Sequence, residues 1–116
     1  MFNHTPIELL VKDFSNILNK SQSAYELVSS RRYNEPLAIL TTGEAYTLIE
    51  KAYLRCDQTK ELQTEFVAKF FNAFEDFYFE LKQVLFHDDD DLISLKERLQ
   101  TLQDRYEEVS TNFNLF

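Results

Sequence analysis

Residues 66–79 read FVAKFFNAFEDFYF, six phenylalanines and a tyrosine in fourteen positions, and their spacing decides the fold. Leu62, Phe66, Phe70, Phe74, Phe77, Leu81 and Val84 recur at intervals of three and four. That is the period of one helical face, whereas a half-buried strand alternates apolar and polar residues. At about 100° per residue, Phe66, Phe70, Phe74, Phe77 and Leu81 cluster tightly and form the core face. Val67, Phe71, Tyr78 and Leu85 lie on the adjoining flank and broaden the apolar arc to about 140°, wider than one neighbouring helix covers. Phe79 and Phe86 share the side that carries Glu75 and Lys82, so they point away from the core. The stretch therefore predicts one long helix from about Thr59 to Phe86, with core on one side and aromatics to spare on the other.

Three further stripes surround it. Ile7, Leu10, Val11, Phe14, Ile17, Leu18, Tyr25 and Val28 predict a first helix over Pro6 to Arg31. Thr5 and Glu8 supply a capping box there, with Pro6 at the first helical position. Ser30 to Glu35 reads as a loop, because Pro36 disfavours helix in the residue before it. The second helix has two possible starts. Thr41 with Glu44 repeats the capping-box pattern, while a start at Pro36 would carry Gly43 inside the helix at a cost of about 1 kcal/mol. Ala45, Leu48, Ile49, Ala52 and Cys56 share its inner face, Tyr46 and Tyr53 flank that face, and the helix ends near Asp57. Asp88 to Asp91 stop the third helix and offer N-caps to a fourth, on which Leu92, Leu95, Leu99, Leu102, Tyr106 and Val109 form a near-heptad stripe. Asn112 to Phe116 is expected to fray. Four amphipathic helices with short connections predict one all-α domain over residues 1–116, an antiparallel four-helix bundle.

Composition narrows the function classes. A chain of 116 residues with one Gly and two Pro has too little turn chemistry for many short strands and enough length for a real core. Its 20 acidic against 12 basic residues give a net charge of −8, which repels phosphate backbones and anionic membrane surfaces. Nucleic acid and membrane are therefore not expected partners. No apolar run approaches the roughly 20 residues of a membrane span, and MFNHTPIELL lacks a basic region followed by an apolar stretch. One cysteine, Cys56, makes no internal disulfide and fits a reducing compartment, so a cytoplasmic location is expected.

No catalytic apparatus is visible. His87 with Asp88 to Asp91 contains metal-binding residue types, yet the spacing matches no calcium loop and suits a solvated helix N-terminus. His4 lies in a terminal segment and His87 in a turn, which leaves no Ser, Cys or Thr with a base beside it. Cys56 on an inner helical face serves as a small apolar side chain. The Glu-x-x-His pairs of di-iron bundles are missing. The expectation is a protein that is not an enzyme and holds no metal or cofactor.

The aromatic surplus remains. One reading leaves two phenylalanines partly exposed, as soluble proteins often do. The other makes Phe71, Tyr78, Phe79 and Phe86, with Tyr46 and Tyr53 on the second helix, the binding surface for a partner's amphipathic helix, where desolvated aromatics contribute most of the affinity.

The order of features resembles the flagellar export chaperones that bind flagellin, the FliS-like four-helix bundles. Thr5, Pro6, Leu9 and Phe14 are similar to that family's Ser/Thr-Pro-x-x-Leu opening and the aromatic that follows it. Ala45, Leu48 and Ile49 are similar to its second-helix element, and the run from Phe74 through Leu81, Asp89, Leu99, Leu102 and Tyr106 to its aromatic third segment and fourth helix. Asp13 stands where the family carries an apolar residue, Tyr106 where it carries Trp, and the tyrosine-rich N-terminal segment is nearly absent. The resemblance implies a cytosolic chaperone, monomeric or weakly dimeric, that masks an aggregation-prone flagellin segment before export without hydrolysing a nucleotide. The competing expectations are another small helical interaction protein, such as a secretion chaperone for a different client, an immunity protein or an inhibitor, and an enzyme or metal-binding bundle.

Overall fold

In a computed structural model of the chain, which describes residues 6–30, 35–58, 65–87 and 92–112, each stripe becomes a helix. These are α1 (Pro6–Ser29), α2 (Glu35–Gln58), α3 (Glu65–Phe86) and α4 (Leu92–Asn112). Thr5 of the first capping box, Arg31, the Thr59 to Thr64 stretch assigned to the third helix, the caps at Asp88 to Asp91 and the last four residues lie outside the described residues.

The open question about the second helix is answered by its length. α2 starts at Glu35 and runs through Thr41 and Gly43 without a break, so Thr41 caps nothing. Thr41 and Thr42 are instead buried about two turns inside the helix, and the Thr42 hydroxyl donates to the Ala38 carbonyl at 2.7 Å. A β-carbon built on Gly43 meets no atom within 4 Å, so this glycine makes room for nothing.

The four helices close a ring in chain order. Opposite runs of paired positions show that neighbours are antiparallel. Asp13 meets Arg55 and Lys20 meets Glu44 between α1 and α2, and Tyr53 meets Phe71 and Tyr46 meets Tyr78 between α2 and α3. α1 lies closest to α2 and α3 to α4, α1 also packs on α4, and of the four neighbouring pairs α2 and α3 approach least closely. Side-chain size explains the difference. The buried face of α2 is built from Ala38, Thr41, Thr42, Ala45, Ile49, Ala52 and Cys56. With Ser21 and Ala24 buried on α1, such a face lets two backbones come together. On the α3 side, rings stand between the helices and hold them apart.

The core is aromatic at its centre. Phe14, Phe70, Phe74 and Phe77 are fully buried with Leu10, Ile17, Ile49, Leu81, Leu95, Leu102 and Val109. Each such side chain contributes about 1.5–3 kcal/mol by leaving water. Phe66 and Leu99, expected on the core stripes, are partly buried at its margin. Asp13, the polar departure from the resembled family, is 6% exposed and accepts a hydrogen bond from Arg55 Nε at 2.8 Å. The guanidinium balances the buried carboxylate and ties α1 to α2.

Candidate functional site

The seam between α2 and α3 is made of stacked rings, arranged in two rows that run from the surface inward. In the first, Tyr53 stacks on Phe71 at 4.2 Å between centroids and 12° between planes. Phe71 meets Phe14 edge-on at 5.3 Å, and Phe14 stacks on Phe70 at 3.9 Å. In the second, Tyr46 stacks on Tyr78 at 5.2 Å and Tyr78 on Phe74 at 5.6 Å. Lys82 places its ammonium 4.8 Å above the Tyr78 ring, a cation–π contact that holds the lysine against the seam. Heptad spacing produces this register, because Tyr46 and Tyr53 on α2 and Phe71 and Tyr78 on α3 each stand two turns apart on one flank.

The polar ends of the seam are also fixed. The Tyr53 hydroxyl donates to Glu75 Oε1. Burial first, and then this carboxylate, push the Tyr53 phenol well above its ordinary pKa. Burial, then the neighbouring Tyr46 and Glu50, raise that of Tyr78. Both tyrosines are therefore neutral phenols at physiological pH.

The six residues expected to bind a partner do not share one fate. Phe79 and Phe86 are each 56% exposed on the outer side of α3, and Tyr46 is 44% exposed. Tyr53 and Tyr78 are half-buried in the seam, Tyr53 stacked on Phe71 and Tyr78 on Tyr46 and Phe74 under the Lys82 ammonium. Phe71 requires a correction. It is 7% exposed and lies between Tyr53 and Phe14, so it is a core ring with no face left for a partner. The flank broadens the apolar arc because α3 meets both α1 and α2 there. Ile39, 38% exposed, belongs to the surface and was missed. It stands seven residues before Tyr46, so the row Ile39, Tyr46, Tyr53 was present in the heptad spacing.

Among the described residues, no group of three or more His, Cys, Asp or Glu side chains is placed to hold a metal ion, and no helix is long and apolar enough to cross a membrane. Cys56 is buried, and desolvation, then the charges of Asp57 and Asp13, push its thiol up to about 11. A thiol held so firmly protonated is a poor nucleophile.

The fold and site together define an all-α four-helix bundle with three closely packed sides and one seam lined by rings. Comparison of the chain with protein-family models, with curated proteins and with solved structures finds no match.

Proposed function

We propose that this chain is a cytoplasmic protein-binding chaperone that covers an amphipathic helical segment of an export substrate, a flagellin-like client being the one implied by its resemblance to flagellar export chaperones. One observation carries the reading. Phe79 and Phe86 stand exposed two turns apart on the outer side of α3, and Tyr46 stands exposed on α2 where it stacks on Tyr78. Adjacent exposed rings on rigid helices form an anchor surface for an apolar helical stripe, and such rings supply most of the affinity where they are desolvated. In this reading the protein acts by binding alone, as a monomer or weak homodimer.

The test is capture of the client from the source cell on immobilised protein, followed by titration of the purified client. Phe79→Ser with Phe86→Ser is expected to weaken binding by at least about 2 kcal/mol, the usual hot-spot threshold. A double variant that binds its client as the parent does would sink the assignment of these two rings.

A further inference from the structure

Among the described residues, carboxylates outnumber the uncompensated cations along the seam and the exposed rings. Glu50 and Asp57 lie on the flank of α2 that carries Tyr46 and Tyr53, both exposed and neither in an ion pair among the described residues. Glu75 adds a carboxylate from α3, one oxygen of which the Tyr53 hydroxyl occupies. Glu50 is near enough to Tyr78 to help raise its pKa, which places this charge at the seam itself. Of the nearby cations, Arg55 is balanced by Asp13 and Lys69 by Glu65, while the Lys82 ammonium keeps its charge over the Tyr78 ring, one cation against three carboxylates. Lys51 sits about 140° around α2 from Tyr46 and faces elsewhere.

An apolar strip with an acidic border is complementary to an apolar stripe with a basic border. A second copy of this chain does not meet that description. It would set Glu50, Asp57 and Glu75 against acidic residues of the same kind, on molecules that each carry a net charge of −8. Like charges facing across an interface cost affinity and select against that partner. The apolar side chains are spaced in heptads, Ile39, Tyr46 and Tyr53 on one helix and Phe79 and Phe86 on the other. This is the repeat that a partner helix presents with apolar residues at i, i+3, i+4 and i+7.

We infer that the partner segment is a basic amphipathic helix, seated with its apolar stripe along Tyr46, Tyr78, Phe79 and Phe86 and its lysines or arginines against Glu50, Asp57 and Glu75. The inference rests on the binding function proposed above and specifies the charge of what is bound.

Two synthetic helical peptides of about twenty residues, long enough to form a stable helix on a surface, test it. Both carry leucines at the i, i+3, i+4, i+7 positions. One bears lysines on the flanks and the other glutamates. Binding to the full chain is read by fluorescence anisotropy at low and moderate salt, with circular dichroism confirming that every variant is folded. The lysine peptide is expected to bind at least about tenfold more tightly, with the margin shrinking as salt rises. Glu50→Lys with Asp57→Lys is expected to erase or reverse that preference. Glu97→Lys with Glu107→Lys, on the exposed side of α4, is expected to leave it intact. Equal binding of the two peptides, or equal sensitivity to the α4 changes, overturns the charge assignment. If Phe79→Ser with Phe86→Ser still weakens both peptides, the binding surface stands without it. If neither peptide responds to the loss of Phe79 and Phe86, the surface itself is wrong. Sedimentation of the protein alone is expected to give the single-chain mass, and a dimer dissolved by the same double change would make a second copy the occupant instead.

Discussion

Phe71 and Phe79 are the same residue type eight positions apart, yet one joins three helices and the other stands in water. Position around α3 separates them, and the separation predicts different costs. Phe70→Ala and Phe74→Ala each empty a fully buried site and are expected to cost about 3–5 kcal/mol in urea denaturation, as buried aromatics do. A loss under about 1 kcal/mol for either would show the inner face of α3 to be misplaced. Cys56 makes a second residue-scale prediction, in pH. Its thiol is raised from 9.0 to about 11 in the folded chain. Between those values the unfolded chain releases a proton that the folded chain keeps. Stability from this group is therefore complete below about pH 9 and falls as pH rises toward about 11. Denaturation midpoints at about pH 8 and about pH 10.5 are expected to differ less in Cys56→Ala than in the parent, because the variant lacks this linked proton. An unchanged difference would place the thiol in contact with water.

At the scale of elements, α2 is the helix whose sequence argues against itself. It contains Gly43, two consecutive threonines and a proline near its start, yet it runs unbroken for 24 residues. Packing overrides propensity here, because Ala38, Ala45, Ala52 and Cys56 bury a continuous face against the rest of the bundle only if the helix continues through the glycine. Thr42 and Thr47 return their hydroxyls to carbonyls four residues back, at Ala38 and Gly43, which satisfies them inside the helix. Gly43 itself is exposed with open space where a side chain would go. Gly43→Ala is therefore expected to stabilise the protein by about 0.5–1 kcal/mol, through the lower entropy of the unfolded chain and the better helix propensity. Thermal denaturation should show the midpoint rising by a few degrees. A fall would mean that the α2 backbone at this position is not ordinary helix.

For the whole molecule, the ring of four helices leaves Phe79 and Phe86, the proposed anchors, apart from the side chains that hold the fold. The small residues of α1 and α2 close one side, and the phenylalanines of α3 fill the centre. The outer rings of Phe79 and Phe86 take part in neither. Replacing both with Ser is expected to change the unfolding free energy by less than about 1 kcal/mol, since each residue keeps more than half of its surface in water. This is a condition on the function test as well. A double variant that unfolds readily would show these rings to be part of the core, and its lost binding would then carry no message about the partner.

Fold class was legible in residues 66–79 and in the three other stripes, because an apolar period of 3.6 is satisfied by helices that share one core and by little else. The outward placement of Phe79 and Phe86 beside Glu75 and Lys82 was legible for the same reason. Periodicity reports only the angle of a side chain around its own helix. It does not report which neighbour lies at that angle, so the 140° arc on α3 left Phe71 with two possible uses until α1 brought Phe14 against it. The same blindness left the start of α2 open, since a capping box and a buried threonine pair are the same letters until the surrounding helices cover them. The uneven ring, tight where alanines face α1 and held open by tyrosines where α2 meets α3, was decided by the tertiary structure, because the distance between two helices is set by the summed size of side chains that lie far apart in the chain.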